Sequence, residues 1–285
     1  MSFPSGDPKR VFAGAMLIAI LFAYDDLADL PENNIMENKD LIDKKLKKAL
    51  LDVMDDPGSY VENKEWPIIT AWHDFWVQLR DTCRPNTYER VQDAIREYAG
   101  ALVQQAGDRQ DETCPTIQEF KVLRRQTSAV EVAHPSTLCM IQYHCDLDIP
   151  DEVHNHPSIR KISQLSNDLI SWSNDFHNLV SVAAINLTLS IPRALAYTFA
   201  LIKIALLEFQ TEVQFLPTFG DEKLDCAVRE YVRGMEMHTT GMIEWHLYTP
   251  RYFADAVDQV RETLVTKLKP MEESVKAKYV FAYSD

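Results

Sequence analysis

Apolar residues along this chain recur at intervals of three and four, and no stretch sustains the apolar/polar alternation of a half-buried strand. The pattern predicts helices over about 9–30, 39–55, 66–83, 87–107, 116–126, 131–146, 157–180, 188–213, 219–247 and 252–280, with ends good to about two to four residues. Turn and breaker residues fall between them: Pro57-Gly58, Arg84-Pro85-Asn86, Cys114-Pro115-Thr116, Ile149-Pro150-Asp151 and Thr249-Pro250. The segment TLSIPRALAYTFALIKIALLEF, residues 188–209, is apolar nearly all round and is therefore expected near the centre of the bundle. Pro192, Arg193 and Lys203 within it count against a membrane span. No linker, low-complexity segment or internal repeat divides the chain, so a single all-α domain over residues 1–285 is the expected architecture.

At 285 residues and 46% hydrophobic content the chain can bury a substantial core. Its formal net charge of -14 argues against nucleic acid or an anionic membrane as principal partner, because both would repel it. An anionic ligand would need a local cluster of cations or metal ions. Five cysteines, odd in number and without a CxxC pair, suggest neither a disulfide framework nor a zinc knuckle, and a reducing cytosol is the plain expectation. Lys9 and Arg10 precede the apolar run VFAGAMLIAILFAY, but DDLAD follows it rather than a small-residue cleavage site, and 14 residues are too few to span a bilayer.

That run poses the chemical question. Asp25, Asp26 and Asp29 close an otherwise greasy helix, with 25 and 29 stacked one turn apart and 26 beside them. Like charges so close destabilise a helix unless a cation sits between them, and magnesium, a hard ion held by carboxylates, waters and phosphates, suits the set. An ordinary solvated helix end is the bland alternative. A second oxygen-rich stretch, NDLISWSND at 167–175, places Asn167, Ser171 and Asp175 four apart on one helical face. These side chains also suit hydrogen bonding to a neighbouring helix.

DDLAD matches the aspartate-rich motif of class I terpene synthases, and NDLISWSND matches their second motif, usually written (N/D)DxxSxxxE. The chain resembles microbial, fungal-type sesquiterpene cyclases from about residue 8 to about residue 255. The resemblance implies a helical bundle around a deep apolar pocket whose mouth holds three magnesium ions. Carried over by position, Asp25 with Asp26 and Asp29 serves one side of that cluster, and Asn167, Ser171 and Asp175 serve the other. EFKVLRRQTSA at 119–129 is similar to the segment carrying a diphosphate-sensing arginine; Arg125 is the better candidate and Arg124 its alternative. WHLYTPRY at 245–252 is similar to the C-terminal signature and offers Arg251 and Tyr252 as diphosphate donors. Phe22, Trp72, Phe75, Trp76 and Trp245 are candidate pocket-lining aromatics, with about two of the five expected to face a ligand.

The chain departs from that pattern in three places. Asp175 stands where a glutamate is usual, Phe176 where a basic residue is common, and only 24 residues precede the aspartate-rich motif, so a reduced N-terminal cap over the pocket is expected. The implied activity is magnesium-dependent cyclisation of an isoprenyl diphosphate, farnesyl diphosphate first among C10, C15 and C20 substrates, with a homodimer among the expected states. Rival readings are a chain-elongating prenyltransferase, which would carry a second aspartate-rich motif at 167–175, and a degenerate homologue that binds diphosphate without turnover. His154 and His156, or His144 beside Cys145, form no convincing zinc set, and no glycine-rich phosphate loop or GxSxG motif occurs.

Overall fold

A computed structural model describes residues 8–29, 39–60, 67–111, 114–135, 147–249 and 256–263, and within these the side chains of all but 24–29, 41, 45, 46, 59, 109 and 110. No strand occurs among the described residues. In chain order the helices are α1 (Pro8–Asp29); α2, composed of Lys39–Leu41, a π-helical stretch Ile42–Lys47 and Lys48–Asp55; α3 (Pro67–Thr82); α4 (Pro85–Gln110); α5 (Ile117–Thr127); and α6 (130–135). There follow α7 (Asp151–His154), α8 (Pro157–Asn174), α9 (Phe176–Leu187), α10 (Ile191–Gln214), α11 (Glu222–Tyr248) and α12 (Val257–Thr263). Prolines open α1, α3, α4 and α8, where the first helical N–H has no intrahelical acceptor to lose.

The helices form two cores. α1 to α4 enclose Leu17, Met54, Ile95 and the aromatic group Trp72, Phe75 and Trp76, whose ring centroids lie 5.4–5.5 Å apart. Trp72 donates its indole N–H to the Leu50 carbonyl at 3.0 Å. These three rings were candidates for the pocket lining, and they pack this core instead; their 3.6-residue spacing aims them at α1 and α2. The second core gathers Ile162, Leu169, Trp172, Phe209, Tyr231 and Met235 from α8, α10 and α11. A small cluster of Val130, Ile170 and Met242, flanked by Phe22 and Trp245, joins the two.

The central helix is α8, not the apolar segment 188–209. Ten of the eleven residues from Ile162 to Trp172 are buried, whereas α10 buries Ala194, Thr198, Ala205 and Phe209 and leaves Phe199, Ile204, Leu206 and Leu207 exposed. The expectation failed because α8 conceals polar groups that its neighbours satisfy. His134 binds Ser163 through Nδ1 at 2.8 Å and Ser166 through Nε2 at 3.0 Å, and Ser166 shares a 2.6 Å hydrogen bond with Thr239. The predicted helix 157–180 is also broken, at Asp175, which ends α8 and precedes the start of α9 at Phe176.

Burial drives four histidines toward their neutral form: His134 and His238 titrate at about 3, His154 and His246 at about 4, against 6.5 for a free side chain. Between those values the unfolded chain binds more protons than the folded one. Stability is therefore complete above pH ~6.5 and is lost as pH falls toward 4, by at most about 1.4 kcal/mol per histidine per pH unit. Calorimetric melting should show a steep drop in Tm below pH ~6.5, shallower in His134→Gln; a flat Tm across that window would contradict the burial of these rings in neutral form.

Candidate active site

A cavity of about 280 Å³ opens where the two cores meet. Ile18, Leu21 and Phe22 of α1 form one wall, and Met242 with His238 and His246 of α11 forms another. Tyr98 of α4, Val130 and Ala133 of α6 and Ile170 of α8 complete its apolar lining. Phe22 packs against Trp245, the ring centroids 4.8 Å apart and the planes tilted by 43°, so Trp245 supports a lining residue without bordering the cavity itself. Of the five candidate aromatics, Phe22 reaches the cavity directly.

One rim is polar: Arg124, Ser128, Ser171, Asn174 and Asp175 gather there. α5 is started by a capping box, in which Thr116 Oγ1 accepts from the Glu119 N–H at 3.2 Å and Glu119 Oε2 accepts from the Thr116 N–H at 2.8 Å. Contacts to α8 set its rotation: Arg124 lies at the rim, ion-paired with Asp175 and 3.4 Å from Asn174 Oδ1. Arg125, the preferred sensor candidate, lies about 100° further round α5. Its guanidinium donates two 2.7 Å bonds to Asp168 and borders a second cavity of about 260 Å³ with Glu97, Glu131 and Arg160. The structure thus brings the alternative, Arg124, to the main cavity and engages Arg125 elsewhere.

The second motif is divided in the same way. Ser171 is fully buried, lines the cavity, and its hydroxyl has no hydrogen-bond partner; Asp175 lines the rim beside it. Asn167 is also fully buried but does not border the cavity. Its Oδ1 accepts from Ser128 Oγ at 2.8 Å and its Nδ2 donates to the Arg125 carbonyl at 2.8 Å, tying α8 to the break between α5 and α6. That break places Ala129 at φ 58°, a left-handed conformation that costs an alanine about 1–2 kcal/mol and is held here by the Ser128 hydroxyl bonds.

Asp25, Asp26 and Asp29 lie on the last turns of α1, and helical spacing puts positions 25 and 29 in register with cavity-lining 18, 21 and 22. Their side chains, and all of Arg251 and Tyr252, lie outside the described residues. A buried hydroxyl without a partner and a neighbouring carboxylate are hard oxygen donors that fit magnesium; among the described residues no set of three or more His, Cys, Asp or Glu side chains gathers into a metal site.

Sequence reading missed the histidines. His238 and His246 are separated by eight residues, two helical turns, with Met242 midway between them, and this one stripe of α11 faces the cavity. His246 is held neutral by burial and by Arg124, against the pull of Asp175, and its Nε2 is 3.4 Å from Asn174 Nδ2. The spacing was visible, but a histidine at core spacing carries no sign of whether a cavity stands before it.

Residues 16–205 match the family described as terpene synthase family 2, C-terminal metal binding. Sesquiterpene synthase 3 of Postia placenta is 27% identical over 283 residues, covering 95% of this chain and 74% of that protein. Sesquiterpene synthase 1 of the same fungus is 31% identical over 209 residues, 69% of this chain and 60% of that one. The crystal structure of germacradien-4-ol synthase from Streptomyces citricolor superposes with a TM-score of 0.76 at 21% identity, covering 87% of this chain and 82% of that one, which shows a shared fold. With two thirds of its length matching the family and its cavity built between the helices that carry both motifs, the chain belongs to terpene synthase family 2 and is a class I terpene cyclase of the fungal type.

Proposed function

We propose that this cyclase acts in the cytosol on farnesyl diphosphate, with three magnesium ions, and releases diphosphate and a sesquiterpene. The observation that carries the proposal is the division of one cavity into an apolar body and a polar rim that ends in the unpartnered Ser171 hydroxyl. An isoprenyl diphosphate has the same division. The names of the Postia placenta relatives favour a C15 substrate.

Ser171, Asp175 and Asn167 would hold one metal and Asp25, Asp26 and Asp29 the others; Asn167 joins them after exchanging its bond to Ser128. Magnesium held there would supply positive charge to offset that of the departing diphosphate. Arg124 at the rim, with Arg251 and Tyr252, donates hydrogen bonds to the leaving oxygens, and its ion pair with Asp175 keeps the guanidinium in place before substrate arrives. Phe22, backed by Trp245, offers a ring face to the allylic cation. Ile18, Leu21, Ile170 and Met242 fold the chain and exclude water that would quench it.

Labelled farnesyl diphosphate incubated with magnesium should give hydrocarbon or terpene alcohol by gas chromatography with mass spectrometry, and chelation should abolish it. Longer diphosphates on adding isopentenyl diphosphate would assign a chain-elongating enzyme, and metal-dependent binding without product would assign a non-catalytic binder. Asp25→Ala, Asn167→Ala and Ser171→Ala should each lower kcat by at least about 100-fold, the scale of losing one preorganised charge-stabilising contact, with the fold still helical by circular dichroism. Arg124→Ala should do the same, and Arg125→Ala should chiefly lower Tm; the reverse order would restore Arg125 as the sensor. Phe22→Leu and Met242→Ala should redistribute products while Trp76→Phe, in the other core, leaves them unchanged; a product shift in Trp76→Phe alone would move the pocket.

A further inference from the structure

Two histidines line the cavity, and neither has a part in the chemistry above. His246 stands at the rim, its Nε2 3.4 Å from Asn174 Nδ2. His238 lies eight residues earlier on the same stripe of α11, about 12 Å further along the helix axis. α8 gives the same depth: Ser166, eight residues before Asn174, shares its hydrogen bond with Thr239, the chain neighbour of His238. His238 therefore occupies the end of the cavity away from the rim, buried, with its ring edge-on to His134 at 5.7 Å between centroids. His134 has both ring nitrogens bonded, to Ser163 and Ser166, and does not border the cavity. Among the described cavity-lining residues, Asp175, His246 and His238 carry basic lone pairs, and the first two sit at the rim with the Arg124 cation. We propose that His238 is the base that ends the reaction, taking a proton from the cyclised cation at the inner end of the cavity.

The inference rests on the proposed reading, in which an isoprenyl cation forms in this cavity. Cyclisation moves positive charge away from the carbon that carried the diphosphate and into the apolar body lined by Ile18, Leu21, Val130 and Met242. A C–H bond beside the cationic carbon then breaks, its electron pair becomes a C=C bond, and the proton passes to an imidazole nitrogen. The imidazolium returns that proton to water when the products leave. A diphosphate held at the rim lies about 12 Å from this end as measured along α11, whereas a proton is transferred across about 3 Å. Burial, with His134 beside it, holds His238 neutral, titrating at about 3. An uncharged ring does not repel the cation, and at neutral pH it carries a lone pair in place of a second proton. Such a ring is a weak base toward water. A C–H bond beside a carbocation is a far stronger acid than an imidazolium, so the transfer still runs downhill.

Farnesyl diphosphate with magnesium supplies the test, read in parallel as diphosphate release and as products by gas chromatography with mass spectrometry. The unmodified chain should give a hydrocarbon as its main product. His238→Phe keeps a ring of similar size without a lone pair, so diphosphate release should stay within about twofold while the share of the main hydrocarbon falls at least about tenfold, in favour of alcohols or of hydrocarbons from other cations. In His238→Ala, added imidazole should restore the main hydrocarbon and pyrrole, a ring of the same shape without a basic lone pair, should not. Should both variants misfold, a crystal of the unmodified chain with magnesium, diphosphate and a tertiary ammonium analogue of the cation should place the analogue within about 4 Å of a His238 ring nitrogen. Unchanged products in His238→Phe, equal rescue by pyrrole, a water-captured alcohol as the main product of the unmodified chain, or an analogue out of contact with His238 would each overturn the proposal while leaving the cyclase reading intact. An unmodified chain that releases no diphosphate would instead overturn that reading, and this one with it.

Discussion

The fold depends on burying a helix that the polarity of its side chains would place outside. α8 carries Ser163, Ser166, Asn167, Asp168 and Ser171, all of them buried. Polar groups taken out of water without partners cost several kcal/mol together. The rest of the molecule is arranged to supply those partners: α6 brings His134, α11 brings Thr239, α5 brings Arg125, and the break after α5 brings Ser128. Each bond also fixes a neighbour's rotation about its own axis. Ser171 alone of these five hydroxyl, amide and carboxylate side chains is left with its oxygen unbonded, and it is the one that meets the cavity. Satisfaction of the other four marks the position where a ligand is expected.

That arrangement explains what the sequence conveyed and what it withheld. Helix existence was legible nearly throughout because local periodicity and proline punctuation report it directly, as at Pro85 and Pro157. Helix placement was not. Hydropathy alone puts residues 188–209 inside, and that assignment is reversed in favour of α8 by pairings between residues 29 or more apart, such as His134 with Ser163 and Ser166 with Thr239. No single-chain pattern announces a long-range hydrogen bond. The same blindness misassigned Trp72, Phe75 and Trp76: large rings at helical spacing read alike whether the facing surface is a cavity or another helix.

Within the site, motif matching located helices better than it located atoms. The two motifs place α1 and α8 on either side of the cavity, which is the part of the resemblance that spacing can carry. Which of two adjacent arginines meets the ligand is decided by about 100° of helical rotation. The Arg125–Asp168 fork and the Arg124–Asp175 ion pair settle that rotation in favour of Arg124. Asn167 shows a related effect: its position in the motif is matched, yet its amide bridges α8 to the α5–α6 break. A residue in that state can report on both the cavity side and the break, because freeing its Oδ1 releases the Ser128 hydroxyl that helps hold left-handed Ala129.

The exposed α10 face and the buried α8 are two consequences of one constraint. A helix that buries so many polar side chains needs other helices packed around it, and α10 does so through its small and medium residues Ala194, Thr198 and Ala205, with Phe209 at its far end. Packing of α10 against α8 and α9 thus uses the face with the least bulk, and the larger apolar residues Phe199, Ile204 and Leu207 are left outside. Scattered exposed apolar residues are ordinary on any surface, and these share the outer side of α10 with the exposed Arg193 and Lys203. None of these residues borders the cavity, whose walls come from α1, α4, α5, α6, α8 and α11.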